Sequence, residues 1–403
     1  MTMTINWPHT KKDRNGNDKA LATRKNLEVL ITYLKIVIGY DVIKNRPVID
    51  GIKSLPGEEE NSLIAFLKSA CGECGLNKSI VDEQLAAIMQ DNAKNPVVDW
   101  LKKSKRTKDN NPIDELVNAL PISNKKWAKI AFYRWFIQCV AAADKAERSG
   151  NPNALSKYES VLTFYGGQGL LKTAFIRSLL PPSLKTYLKD GILLDLSKPD
   201  SKTEALSSWI TELGELDSTF KKSDISALKA FLSRQEDEIR KPYARAASIL
   251  PRHTSFFGSV NEERFLRDPT GNRRYFPVII NDQLLLPEKF DCNDFWAFIW
   301  QEYLNGSQWW LTKQEEAEQQ KALKLHEDNS FEEMLLDEFL FDEDENHRPQ
   351  LLTANDILDA LKVSRSRANS TSLGIALKKL EVTKNESREY FMPKPRLIMN
   401  GFN

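Results

Sequence analysis

The chain has 403 residues, 41% hydrophobic and 28% charged, which is a globular composition at a length that exceeds one ordinary domain and suits two to four. Its 57 basic and 56 acidic residues nearly cancel, so a nucleic-acid surface has to arise from local clustering and not from net charge. Four cysteines, no secretory pattern at Met1-Thr2-Met3-Thr4-Ile5-Asn6-Trp7-Pro8 and no stretch approaching a membrane span point to a cytoplasmic protein that is not integral to a membrane.

The polar run Lys11-Lys12-Asp13-Arg14-Asn15-Gly16-Asn17-Asp18-Lys19 precedes Leu27, Leu30, Ile31 and Leu34, whose spacing predicts a helix from about Thr23. Asn45-Arg46-Pro47-Val48-Ile49-Asp50-Gly51 reads as a turn between short extended pieces, and helical patterns follow at Asn61–Ala70 and Ile80–Met89. Residues 1–92 are therefore expected to be a mostly helical N-terminal domain. Cys71-Gly72-Glu73-Cys74 has metal or redox spacing but lacks two further ligands, and the simpler reading is the end of a helix beginning near Leu63.

Residues 93–150 form a helical connecting region that opens at Asn95-Pro96 and includes a helical stretch at Trp127–Ala146. Its basic run Lys102-Lys103-Ser104-Lys105-Arg106-Thr107-Lys108 is either a solvated loop or a DNA contact. From 151 to 311 the pattern alternates: extended at Ser160–Tyr165, Ser208–Leu213, Thr254–Val260 and Tyr275–Ile280, helical at Lys172–Leu179 and Asp224–Ser233. That alternation predicts an α/β sheet with flanking helices. Residues 312–348 read as an acidic helix and linker. In 349–403, Thr353 caps a helix through Leu361, Leu373, Ile375, Ala376, Leu377 and Leu380 mark a second helix, and Arg388–Met392 is extended, which is the order of a small winged-helix module.

The chemistry gathers around Tyr165-Gly166-Gly167-Gln168-Gly169-Leu170-Leu171-Lys172-Thr173. A phosphate loop needs a buried strand, a glycine-rich turn whose N–H groups face the phosphates, a lysine for the β- and γ-phosphates and a hydroxyl on the Mg²⁺ side. Val161–Tyr165, Gly166–Gly169, Lys172 and Thr173 supply these in order, with Gly166 through Thr173 as the nucleotide contacts. Leu171 stands where glycine is usual before the lysine, and leucine does not readily take glycine's backbone angles. A chance glycine-rich turn is the competing reading. Against it, acids follow the next strand at Glu212 and Glu215, a polar side chain ends another at Asn261, and paired arginines come at Arg273 and Arg274. Such groups hold the metal, orient water and stabilise transition-state charge in an ATPase. Each also has a plain alternative, a solvated acidic loop or an arginine paired with Asp268.

The ordered segments Gly166-Gly167-Gln168-Gly169 with Lys172-Thr173, Trp209 to Leu216, Lys222 to Leu232, Arg240 to Arg245, Phe257 to Asn261 and Phe265 to Val278 give the chain its likeness. It resembles the virulence-associated E family, helicase-like ATPases of prophages and phage satellites related to superfamily 3 and poxvirus-type primase-helicases. The likeness is specific from Gly166 to Val278 and loose toward the N-terminus. It implies an AAA+-like P-loop core that binds ATP and Mg²⁺, forms a homo-hexameric ring and translocates on single-stranded DNA in a bacterial host. By that likeness Lys172 and Thr173 bind nucleotide, Thr173 and Glu212 the metal, Glu215 completes the acidic motif, Asn261 is the sensor and Arg273 or Arg274 the finger. Lys241 and Arg245 fall where DNA-gripping elements are placed, and no primase triad of acids stands upstream, so a separate primase is an expected partner. Arg365, Arg367, Lys378 and Lys379 in the C-terminal module are positioned to contact phosphates of origin DNA, with protein contact as the alternative use. Beside helicase action, a non-hydrolysing DNA-binding initiator and a nucleotide-gated defence switch are the other readings.

Overall fold

The computed structural model describes residues 5–55, 57–144, 158–214, 222–234, 236–239, 248–261, 272–324, 331–339, 341, 349–361, 365 and 367–393. Two compact units divide the chain: Met1–Glu263 with Thr270–Leu323, and Arg264–Pro269 with Lys324–Asn403. Among the described residues no helix is long and apolar enough to cross a membrane.

The first unit begins with a hairpin of β1 (Thr10–Lys12) and β2 (Asp18–Ala20), then α1 (Arg24–Tyr33), whose cap is Thr23 as the sequence predicts. The helices expected next are α2 (Glu59–Glu73) and α3 (Ser79–Asp91). What the sequence reading left out is a sheet of β3 (Val37–Asp41), β4 (Arg46–Asp50) and β5 (Ala93–Lys94), in the order β4-β3-β5. The turn lies earlier than expected, with Asn45 at φ +52, and Arg46–Asp50 is strand. Pro47 is tolerated because β4 is an edge strand.

Two Asn-Pro pairs then start helices by one mechanism. Asn95 and Asn111 cap α4 (Pro96–Lys103) and α5 (Pro112–Ala119), and each proline takes the first helical position, where no N–H is needed. α6 (Lys125–Ala143) buries thirteen of its nineteen residues; a helix apolar on all sides belongs inside. It packs against a five-stranded, wholly parallel sheet of β6 (Val161–Tyr165), β7 (Leu188–Ile192), β8 (Ile210–Leu213), β11 (Ser255–Val260) and β12 (Tyr275–Ile279), in the order β12-β6-β11-β8-β7. Between these strands the chain forms α7 (Lys172–Ser178), α8 (Pro199–Ala205), α9 (Lys222–Leu232) and the hairpin β9 (Glu236–Ile239) with β10 (Ser248–Pro251). α10 (Cys292–Leu304) and α11 (Lys313–Lys324) follow β12. Four of the sheet strands were expected from the sequence; β7, which contains Asp190-Gly191, was not.

Four buried tryptophans lock this core with the indole N–H on a backbone carbonyl, while that of Trp309, also buried, has no partner among the described residues. Trp127 donates to Pro277 (2.7 Å), Trp135 to Phe256 (2.8 Å), Trp209 to Cys139 (2.8 Å) and Trp296 to Leu179 (2.8 Å). These four bonds place large apolar rings with their donors satisfied, and they tie α6 to the sheet and α10 to the end of α7.

The second unit contains α12 (Phe331–Glu338), β13 (Gln350–Leu352), α13 (Ala354–Ala360), α14 (Arg367–Lys379) and β14 (Tyr390–Met392). Leu335, Phe339, Ile357, Leu358, Leu373, Leu377 and Met392 form its core. Thr353 caps α13 in a capping box with Asp356. β14 pairs antiparallel with β13, which precedes both helices.

Arg106 shows what the basic run does at one of its members. Its guanidinium pairs with Asp294, a residue 4% exposed, which also accepts from Thr107 N (2.6 Å), Thr107 Oγ1 (2.9 Å) and Lys108 N (3.2 Å). Burial pushes the Asp294 carboxyl up, but those bonds and the Arg106 charge together hold it below its ordinary value of 3.8. Asp294→Ala leaves the half-buried Arg106 with backbone carbonyls but no carboxylate, and frees the Thr107 and Lys108 donors, so urea unfolding should record a loss of about 3 kcal/mol at neutral pH. A depressed carboxyl stabilises above its unfolded pKa and loses that contribution as pH falls through the folded one. The gap between wild type and variant should therefore narrow below pH 3.8; a gap that widens in acid would refute the assignment.

Candidate nucleotide-binding site

β6 runs between β11 and β12, all three parallel, and its chain leaves the carboxyl edge of the sheet at Tyr165. It turns through Gly166–Leu171 into α7. Gly166 has φ +156, and a β-carbon there would lie 2.8 Å from Ile280 O and 2.9 Å from Leu170 Cδ1, so no side chain fits. Gly169 sits at φ +79, and Gly167, Gln168 and Gly169 face solvent. Backbone bonds hold the turn from outside: Ile280 N to Tyr165 O (2.8 Å), Leu284 N to Leu170 O (3.1 Å) and Gly166 N to Val260 O (3.3 Å). Leu170 packs half-buried on the main core.

Leu171 lies in the left-handed region, at φ +58 and ψ +25. The position does demand a glycine-type backbone, and leucine meets it at a cost of about 1–2 kcal/mol. Its side chain is 40% exposed, so little burial compensates.

Lys172 is 8% exposed, and its ammonium donates to Gly166 O (2.6 Å), Asn261 Oδ1 (3.2 Å) and Val260 O (3.4 Å). The lysine and the amide expected to work together are thus in contact, across 89 residues of chain. Thr173 Oγ1 donates to Glu212 Oε1 at 2.7 Å, bringing together the two groups expected on the metal side. Glu212 is 5% exposed and has further partners that the sequence reading missed. Ser259 Oγ donates to Oε1 (3.4 Å) and Gly191 N to Oε2 (3.2 Å). Gly191 belongs to an irregularity in β7, where the register with β8 shifts between Lys189 and Ile192. Its neighbour Asp190 pairs with Arg177 in the last turn of α7 (2.7 Å), so the helix carrying Thr173 is joined to β7 through this pair and to β8 through Glu212. A glycine inside a strand is a bulge signal; without β7 recognised as strand it had no meaning.

The donor set suits a hard cation bound with phosphate. Mg²⁺ takes one or two carboxylates and fills its octahedron with phosphate oxygens and water, and here one carboxylate and one hydroxyl lie side by side. No group of three or more His, Cys, Asp and Glu forms a metal cage among the described residues. Cys71 and Cys74 are outside any such site. Cys71 is buried, which pushes its thiol up to about 11, and Cys74 caps α2 with its sulfur donating to Cys71 O (3.5 Å). The helix-end reading of that pair holds.

Arg273 and Arg274 lie in a 3-10 turn before β12, whose Tyr275 pairs with Val161 at the start of β6. They therefore stand at the amino edge of the sheet, about 16 Å of strand from the glycine loop. Their environments differ. Arg274 is packed against Glu159 (3.2 Å) and donates to Ser233 Oγ (2.7 and 3.0 Å), whereas Arg273 is exposed and, among the described residues, only its carbonyl is engaged, by Gln319 Nε2 at 2.8 Å; Asp268, the other expected partner, lies outside them. Glu215, Lys241, Arg245 and the Arg367 side chain lie outside the described residues. Arg365 is tied to Asp359, and Lys378 and Lys379 are exposed in the last turn of α14.

A glycine-rich strand–loop–helix at the carboxyl edge of a five-stranded parallel sheet, with lysine, hydroxyl and acid converging on it, defines an α/β protein built around one candidate anion site. The sequence model of the virulence-associated protein E-like domain matches residues 101–328, more than half of the chain, and the chain belongs to that family. Among solved structures, the A-form apo structure of the NrS-1 C-terminal region is similar with a TM-score of 0.46 and 12% identity, covering 92% of this chain and 98% of that one. An apo structure of the same region (305–718) gives 0.45 and 14% over the same shares. No curated protein matches the chain.

Leu171→Gly removes the left-handed cost of about 1–2 kcal/mol and adds back about 0.5–1 kcal/mol of unfolded-state entropy. Thermal unfolding should therefore show a net gain of about 0.5–1 kcal/mol, and a loss of more than 1 kcal/mol would mean that the leucine side chain is packed.

Proposed function

We propose that this chain is an ATP-dependent DNA helicase and replication initiator of a prophage or phage satellite, with an AAA+-like P-loop core and a winged-helix module at its C-terminus. The observation that carries the reading is the convergence of Lys172 with Asn261 and of Thr173 with Glu212 at one glycine-rich loop. Family membership supports the replication setting. Gly166 to Thr173 would cradle the phosphates, with Lys172 leaving the Gly166 carbonyl for the β- and γ-oxygens. Thr173 and Glu212 would hold Mg²⁺, which when bound neutralises phosphate charge. Asn261 is placed to orient a γ-phosphate oxygen or the attacking water, and Glu215 to complete the acidic motif.

The amino-edge position of the arginines supports a homo-oligomer, with a hexameric ring as the specific proposal. Arg273 cannot reach the loop of its own sheet, so it would act on a nucleotide held by a neighbour. Its exposure favours it over Arg274, which Glu159 and Ser233 already hold. Single-stranded DNA would be gripped by the segment containing Lys241 and Arg245, while Lys378, Lys379, Arg365 and Arg367 would contact origin DNA and a primase would act as a separate partner. Arg365 must first leave Asp359. One observation favours a second reading, a nucleotide-gated initiator or defence protein that does not hydrolyse: an exposed leucine side chain stands directly before the lysine, where glycine is usual.

Turnover measured with and without single-stranded DNA separates the readings. Lys172→Ala should abolish ATP hydrolysis, and a wild type without Lys172-dependent turnover would sink the helicase reading. Arg273→Ala should lower turnover at least about 10³-fold with nucleotide affinity retained. Mixing Arg273→Ala with Lys172→Ala chains should restore part of the activity, since each supplies what the other lacks. Arg274→Ala should instead lower the unfolding temperature; if it alone abolished turnover in a folded protein, the assignment of the finger would be reversed.

A further inference from the structure

The β1–β2 hairpin has no role in the site described above, and its composition is unusual for an edge ornament. From His9 to Lys19 it contains no apolar residue, and every residue from Pro8 to Lys19 is exposed, so both faces of the ribbon meet solvent. A two-stranded ribbon of this kind is marginal by itself. It is held at its base by Asn26, fully buried, which accepts from His9 N (3.1 Å) and donates to His9 O (2.7 Å) and Leu21 O (2.8 Å). At its tip Asp13 Oδ1 accepts from Asn15 N (2.8 Å) and Asn17 N (2.9 Å), and Gly16 turns at φ +81.

Both acids of the prong are engaged, Asp13 in the turn and Asp18 with Lys12 at 3.1 Å. Lys11, Arg14 and Lys19 make no ion pair among the described residues. Lys11 and Lys19 are moreover direct cross-strand partners, and like charges placed opposite each other destabilise a ribbon. Both side chains are exposed, so packing does not require that pairing. A polyanion laid along the prong would remove the repulsion. With no apolar side chain to insert, the prong lacks what a membrane contact or the centre of a protein interface uses, whereas cations and amide donors are what phosphate contacts use.

We propose that the hairpin Thr10–Ala20 is a nucleic-acid contact site that grips the phosphate backbone through Lys11, Arg14 and Lys19, independently of nucleotide hydrolysis. It is a third contact besides those proposed for residues 241–245 and the C-terminal unit, and it stands whether or not the ATPase reading does.

The test uses the full chain and fluorescein-labelled oligonucleotides, single-stranded and duplex, followed by anisotropy across a salt series without nucleotide. Lys11→Gln/Arg14→Gln/Lys19→Gln should weaken binding and flatten the slope of log K against log salt by about 2 to 3, at about 0.7–0.9 per lost phosphate contact. Lys11→Glu provides the control for folding: it puts opposite charges across the ribbon, so the unfolding temperature should hold or rise while DNA affinity falls. The same changes on a Lys172→Ala background should have the same effect, which separates this proposal from the ATPase reading. Unchanged affinity and slope in both variants would overturn it. So would variants that keep oligonucleotide affinity but lose retention on phosphatidylserine vesicles or on polyglutamate, which would make the prong a membrane or acidic-protein contact.

Discussion

Parallel pairing of β6 with both β11 and β12 is the constraint on which the rest of the candidate site depends. Because all strands of the sheet point the same way, whatever follows a strand collects at one edge and whatever precedes a strand at the other. The glycine turn after β6, Asn261 after β11 and Glu212 near the end of β8 are therefore neighbours, although up to 95 residues separate Gly166 from Asn261. β11 lies between β6 and β8, and this gap lets Ser259 and Thr173 reach the Glu212 carboxylate from two sides. A helix covers this sheet only if its own polar groups are satisfied. The indole bonds of Trp127, Trp135 and Trp209 to main-chain carbonyls meet that condition while fixing α6 in one register.

Within the site, side chains and main chain together hold the carboxylate. Glu212 is nearly buried, and a buried carboxylate without donors would be costly. Thr173, Ser259 and the Gly191 N–H remove that cost, and they orient the carboxylate as well. The Arg177–Asp190 pair is half exposed, so its direct contribution to stability is small. Its consequence is geometric, because it links the far end of α7 to the irregularity in β7 that presents the Gly191 N–H.

Much of this was legible in the sequence, and the failures have physical causes. Gly166, Lys172 and Thr173 were readable because a strand–turn–helix at a phosphate site tolerates few residue types at those positions. Thr353 and the segment start at Asn95-Pro96 were readable because capping is local, and Asn111-Pro112, which starts α5 in the same way, went unread. β7 was missed because Leu188-Lys189-Asp190-Gly191-Ile192 carries an acid and a glycine in its middle; pairing with β8 overrides its weak propensity. The three-stranded sheet near the N-terminus escaped for the same reason, since Arg46-Pro47 at the start of β4 reads locally as a turn. Arg106 was hidden differently. In sequence it is one member of a basic run, and only its partner Asp294, 188 residues away, turns it into a core ion pair.

Arg273 and Arg274 show how burial separates two residues that residue type leaves alike. Adjacent, chemically identical and both at the amino edge, they are indistinguishable as text. Arg274 has exchanged water for Glu159 and Ser233, so moving it toward a phosphate would first strand a partly buried carboxylate. Arg273 carries no such obligation and keeps its guanidinium in solvent, anchored through its backbone by Gln319. A group meant to meet charge supplied from outside the chain has to be cheap to move and firmly based, and of the two only Arg273 is both. Lys11, Arg14 and Lys19 of the β1–β2 hairpin follow the same logic, since their ribbon is held at base and tip while they make no ion pair among the described residues. Both proposals therefore rest on which cations are left without an ion pair, and not on the number of cations.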